Sequence, residues 1–211
     1  VNSPSEAPRS GRPLGFDRDE ALGRVMALFW KTGFDRVSQQ QMASATGLST
    51  SSLYNTFGTK IEIYREAMDA YLRRMESIFE PLRHGTRGSE DVLETVARLE
   101  AVLDSAQGKF GCMATTAMTA PVDAHVAKAT DQYRENLRAG FTAVAARARD
   151  LGEAVPDPTT AANIMTAAVL GTLTIARAAP DSPELRAQLD ALRDFASSWR
   201  PHGREHQTAS A

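Results

Sequence analysis

The sequence predicts an all-α protein: an N-terminal three-helix unit containing a helix-turn-helix, then a C-terminal body of about six helices. Three observations predict it. Three helix starts and two helix stops are crowded into residues 38–60. Apolar residues recur at three- and four-residue spacings in every long segment after Asp17. Gly33, Gly47, Gly58, Pro121, Gly152, Pro158 and Pro183 stand where those segments begin or end. At 211 residues and 42% hydrophobic content, the chain is long enough to bury a sizeable core.

Residues 1–14 read as a disordered arm, rich in Ser and Pro with little to bury. Within it Gly11-Arg12-Pro13 has two readings, an arginine laid into a narrow minor groove or a flexible basic tail. A helix is expected from Asp17 to Thr32, with Asp17 and Glu20 as a capping box and Leu22, Val25, Met26 and Phe29 as its packing face. Gly33 stops it, and Phe34 and Val37 are expected to join the same core.

Ser38 with Gln41 forms the next capping box, and Gly47 ends that helix in a left-handed conformation. Ser49 caps a short helix over Thr50–Thr56, stopped by Gly58. Met42, Leu48, Leu53 and Phe57 are the apolar positions of this two-helix stretch, and Ala43 is small where two helices must cross closely. This is a helix-turn-helix, whose second helix presents hydroxyls and an amide suited to base edges and phosphates. Thr59 and Glu62 cap a long helix running towards Leu82, more than 30 Å at about 1.5 Å per residue, which joins the unit 15–60 to the body 61–211. Lys60 in its first turn opposes the macrodipole; it is either a screened surface lysine or a phosphate ligand.

Further helices are expected from Ser89 to near Gly108, over 111–120, and from Val122 to Leu151. Asp157-Pro158 and Ser182-Pro183 start the last two. The first of these is rich in small residues along Ala162, Ile164, Ala167, Ala168, Leu170, Gly171 and Ile175; the second carries Leu185, Leu189, Leu192, Phe195 and Trp199. Such a pair suits either an internal core or a symmetric four-helix dimer interface. Residues 200–211 read as a frayed tail.

Charge and motifs narrow the function classes. Residues 1–60 carry seven Lys and Arg against five Asp and Glu, whereas residues 61–211 carry 17 against 21. The asymmetry favours phosphate binding at the N-terminal end, with weak non-specific affinity. The sequence shows no phosphate-binding glycine loop, no His-Glu-x-x-His and no Gly-x-Ser-x-Gly, so neither an enzyme nor a cofactor is expected. His202 and His206, and Asp123 and His125, read as solvated surface rather than metal pairs. No run of about 18 uninterrupted apolar residues occurs, and residues 1–14 lack a signal-peptide apolar region, so the expectation is a cytoplasmic protein with no membrane partner. The single cysteine, Cys112, excludes an internal disulfide framework; it is either a small core residue or a reactive thiol at a helix start.

The run Leu53-Tyr54-Asn55-Thr56-Phe57-Gly58-Thr59-Lys60, following Gly47-Leu48-Ser49 and preceded by Gly33-Phe34, resembles the signature of the tetracycline-repressor (TetR) family over residues 12–72. The resemblance implies an all-helical homodimer that binds palindromic, inverted-repeat double-stranded DNA through its N-terminal domains and is released by a small ligand held in the C-terminal domain. It favours the dimer reading of the last two helices. Carried over by position, it places Gln40, Thr50, Ser51, Ser52 and Asn55 at the major groove, and Tyr54, Thr56 and Lys60 on phosphates. Gln40 stands where some members have a guanine-reading arginine, which makes adenine the expected partner.

Met75, Phe79, Met113, Met118, Tyr133 and Phe141 are the candidate ligand-pocket residues, with a filled core as the other reading. The functional expectation is a ligand-responsive repressor. Its rivals are a Cys112-based redox or electrophile sensor with the same DNA-binding end, and a helical enzyme or carrier with no DNA role.

Overall fold

The computed structural model describes residues 16–200. Arg12, its arm and the tail beyond Arg200, with His202 and His206, lie outside the described residues. Among the described residues ten α-helices run in the order α1 (Arg18–Thr32), α2 (Gln39–Thr46), α3 (Thr50–Phe57), α4 (Lys60–Ile78), α5 (Glu80–His84), α6 (Ser89–Leu103), α7 (Met113–Thr119), α8 (Ala124–Asp150), α9 (Pro158–Ala178) and α10 (Pro183–Ser197), with a 3-10 turn at Gly108–Phe110. No strand occurs among the described residues.

The N-terminal unit forms because each of its short helices is closed at both ends by its own residues. Ser38 Oγ accepts from Gln41 N while Gln41 returns a bond to Ser38 N, and Gly47 stops α2 at φ 73°. Ser49 Oγ accepts from Ser52 N at the start of α3. Gly58, at φ 81° and ψ -152°, ends α3 in a region closed to side chains bearing a Cβ. Thr59 and Glu62 cap α4 reciprocally. At α1 the expected box is half formed: Asp17 accepts from Asp19 N and Glu20 N, but Glu20 turns to Arg24, 2.6 Å away. Val25, Phe29, Val37, Met42, Leu53 and Phe57 meet in the core between these helices and the start of α4, with Phe34 half-buried beside them.

The long helix is shorter than its apolar pattern implies. It ends at Ile78 rather than near Leu82, because Pro81 lacks the N–H that would continue the ladder; Phe79 is the break and α5 restarts at Glu80. The 19 residues of α4 give a rod of about 28 Å, not more than 30 Å. It is buried along its whole length through Ile63, Tyr64, Ala67, Met68, Tyr71, Met75 and Ile78. Likewise α6 ends at Leu103, short of Gly108, and the intervening residues turn into the 3-10 segment.

In the body, α8 and α9 form the most extensive helix pair, and α10 lies across α6 and α9. Asp91 is buried in the first turn of α6 and accepts from Arg87 N at 2.8 Å and Arg147 Nη2 at 3.2 Å; the same Arg147 nitrogen also donates to the carbonyls of Pro81 and Leu82. That knot fixes α5 against α6 and α8. α6 starts at Ser89 as expected, with Gly88 ahead of it, and the carboxylate of Glu153 accepts from Ser89 N across the fold. Leu185, Leu189 and Leu192 of α10, and Trp199 just beyond its end, are buried within this chain, and Phe195 is half-buried against them, so the stripe is mainly core rather than open interface. On α9 the residues divide: Ala162 is buried, while Ile164, Ala167 and Gly171 are exposed and Ala168, Leu170 and Ile175 half-buried. By length and a mean hydropathy of 1.4, α9 could cross a bilayer, yet its other face is packed on α8 and α10.

Candidate nucleic-acid interface and ligand cleft

Helices α2 and α3 leave Gln40, Ser51, Ser52 and Asn55 exposed, with Thr50 and Thr56 half-buried beside them. Ser52 Oγ is already paired with Ser49 Oγ, and Thr56 Oγ1 donates to Ser52 O, so these two hydroxyls have internal partners in the free protein. Next to α3, a shallow groove is lined by Gln39, Tyr54, Gly58, Thr59, Lys60 and Glu62. The Tyr54 hydroxyl there is buried without a hydrogen-bond partner, and burial raises its pKa. A donor left unpaired in the free protein is poised for an acceptor supplied from outside.

Lys60 Nζ stands 4.4 Å over the Phe34 ring. The ring's negative face, together with Glu62 two positions on, supplies the compensation that a cation in a helix's first turn requires, so the lysine is accommodated without a phosphate. Glu62 is held below the ordinary carboxylate range by hydrogen bonds from the Thr59 backbone and hydroxyl, with Arg65 adding to them. Arg18 is committed to Glu66 and lies over Phe57, 4.6 Å from the ring centre. The cationic surface here is therefore small, as the charge count implied.

In the body, a cleft of about 190 Å³ lies between the far half of α4 and the middle of α8. Leu72, Phe79, Ala129, Tyr133 and Leu137 give it apolar walls; Glu76, Arg83, Gln132 and Asn136 supply its polar groups. Phe79 and Tyr133 meet edge to face at 6.2 Å. Of the other candidate pocket residues, Met113 lines a second cleft at the junction of α1, α4 and α7. Met75 and Phe141 are packed in the core and Met118 is half-buried against it; none of the three lines either cleft.

Cys112 is fully buried, within reach of the Tyr71 and Tyr133 hydroxyls, whose pKa values burial pushes well up. Burial withholds the solvent access that a reactive thiol needs, which favours the packing role over the reactive one. Asp123 and His125 do more than face solvent. Asp123 caps α8 through Val126 N and meets Arg65 Nε of α4 at 2.7 Å, while His125 Nε2 lies 3.2 Å from Asp69 of the same helix. Among the described residues no group of three or more His, Cys, Asp and Glu could hold a metal ion.

The sequence reading overlooked the junction between α1 and the body. Trp30 Nε1 donates to Gly111 O at 2.9 Å, and Arg177 Nη1 donates to both Trp30 O and Phe110 O. Gly111 is required there: its φ is 65°, and a Cβ would come within 2.8 Å of the Arg177 backbone nitrogen and the Leu173 carbonyl. A signal was available, because Arg177 is the one charge in the 21 residues of α9.

The family described as bacterial regulatory proteins, tetR family, matches residues 25–67. The HTH-type transcriptional repressor ComR of Escherichia coli is 41% identical over 64 residues, a match spanning 30% of each chain. The uncharacterized HTH-type transcriptional regulator YezE of Bacillus subtilis is 27% identical over 146 residues, covering 68% of this chain and 75% of YezE. Among solved structures, a cysteine mutant of the TetR family transcriptional regulator CifR, complexed with a 26-base-pair double-stranded operator DNA, superposes with a TM-score of 0.75 at 26% identity. That superposition covers 90% of this chain and 100% of CifR.

Proposed function

The chain belongs to the TetR family of bacterial regulatory proteins, and from that premise we propose that it is a ligand-responsive transcriptional repressor, released from an inverted-repeat operator when a small molecule binds its body. The observation that carries the reading is the capped pair α2 and α3, which exposes Gln40, Ser51, Ser52 and Asn55 beside the unpaired Tyr54 hydroxyl. Those side chains suit base edges in a major groove, and Tyr54, Thr56 and Lys60 suit the flanking phosphates. On this reading residues 15–60 read DNA and residues 61–200 hold ligand and partner. The relatives are regulators rather than enzymes, and a protein acting on bacterial chromosomal DNA works in the cytoplasm.

Two-fold DNA calls for a two-fold protein. The open small-residue face of α9, around Ile164, Ala167 and Gly171, is the surface on which a second copy would pack, with the edge of α10 beside it. Ligand binding in the cleft of Leu72, Phe79, Tyr133 and Leu137 would press on the far end of α4. A tilt of roughly 5° in a rod of about 28 Å displaces its end by about 2 Å, which is enough to misplace a helix in a groove. The cleft's walls fit a small, mainly apolar molecule with one or two polar groups.

A gel shift with the DNA flanking the protein's own gene tests the reading. Retardation at about nanomolar protein is expected, with affinity falling as salt rises. No shifted species at low salt would return the enzyme or carrier reading.

A further inference from the structure

The second cleft, about 260 Å³, lies where the turn after α1 faces α7, and no part of the proposed induction mechanism uses it. Its walls come from both parts of the molecule: Trp30 and Phe34 from the N-terminal unit, Tyr64 from α4, and Met113 and Ala120 from the body, with Arg177 reaching in from α9. The aromatic rings are fixed against one another, Phe34 and Tyr64 at 5.0 Å between centres. The guanidinium is fixed as well, because Nη1 is held by the carbonyls of Trp30 and Phe110. Among the described residues Arg177 forms no ion pair, and its hydrogen bonds are the two made by Nη1. The charged groups lining the cleft are Arg177 and Arg36 against Asp35, an excess of one positive charge. Asp35 and Arg177 act in opposite senses on the Tyr64 hydroxyl, which burial pushes up to about 12, so both stand near the same spot.

We propose that this junction cleft binds small planar aromatic carboxylates, the ring lying among Trp30, Phe34 and Tyr64 and the carboxylate on the free donors of Arg177. A planar anion matches both features: aromatic walls favour edge-to-face and offset packing, and a held guanidinium presents its remaining N–H groups without further loss of freedom. The volume is below the range usual for drug-sized ligands, which points to a one- or two-ring acid. An occupant touches the N-terminal unit and the body together, so it opposes movement of one against the other.

Calorimetric titration of the full chain with benzoate and 2-naphthoate tests the site, with benzamide as the neutral control. At least one acid should bind with a Kd of about 1 mM or tighter, and benzamide about tenfold more weakly than benzoate or not at all. Ala120→Trp, at the exposed rim, should fill the cleft and weaken the acid at least about tenfold, as should Arg177→Gln; Leu72→Trp, in the α4–α8 cleft, should leave it unchanged. Should Arg177→Gln not fold, Ala120→Trp and the amide comparison decide. Absence of saturable binding by either acid, equal binding of the amide, or loss on Leu72→Trp but not on Ala120→Trp would overturn the proposal. Operator binding by the same preparation, measured by gel shift, separates failure of this site from failure of the regulator reading.

Discussion

Tyr54 is half-buried, yet its hydroxyl has no partner inside the free protein. Removing an unpaired buried polar group costs the fold nothing and relieves a desolvation penalty. Tyr54→Phe is therefore expected to leave the melting temperature equal or higher while weakening operator binding about tenfold, through loss of a hydrogen bond to a charged phosphate. Loss of stability without loss of binding would place the hydroxyl in the fold instead. Lys60 differs, since it already has Phe34 beneath it. Lys60→Ala should cost the free protein about 0.5 kcal/mol. It should also weaken all DNA sequences alike and reduce the slope of log affinity against log salt by about one unit; an unchanged slope would show that Lys60 meets no phosphate.

At the scale of elements, the helix starts were legible because capping is local: Ser38 with Gln41, Ser49 with Ser52 and Thr59 with Glu62 each lie within four residues. The break at Phe79 was misread because apolar spacing continues through Pro81 while the backbone ladder cannot. The clasp between α4 and α8 was illegible for another reason. Arg65 and Asp123 are 58 positions apart, and His125 and Asp69 are 56 apart, so only the folded topology joins them. That clasp has a pH signature. The Asp123 carboxyl is held below its ordinary 3.8, first by Val126 N–H and then by Arg65. Its stabilising contribution is therefore present above the unfolded carboxylate range and is lost as pH falls through the depressed value. As pH falls below about 5, Asp123→Asn should lose less melting temperature than the wild type. Parallel acid limbs for the two proteins would mean the carboxylate contributes no linkage.

For the whole molecule, the helical class and the helix-turn-helix were readable from pattern, whereas the clefts were not. Phe79 and Tyr133 are brought together at the α4–α8 cleft while Met75, at the same apolar spacing, turns into the core, a distinction set by which neighbour packs on each face. The same applies to the dimer: the apolar stripe of α10 is used internally, and the open surface is that of α9. A side chain added at Gly171 would meet nothing within 4 Å in this chain, so Gly171→Trp should fold normally yet sediment as a monomer. An unaltered dimer would move the interface elsewhere. The central claim, that paired α3 helices read a two-fold DNA site, is tested most directly by letting the full chain select from a pool of random duplexes and sequencing what it retains. The account predicts an inverted repeat with half-site centres about one helical turn apart, lost when Gln40 and Asn55 are both replaced by Ala. Recovery of no sequence above the input, or of a site without two-fold symmetry, would contradict it.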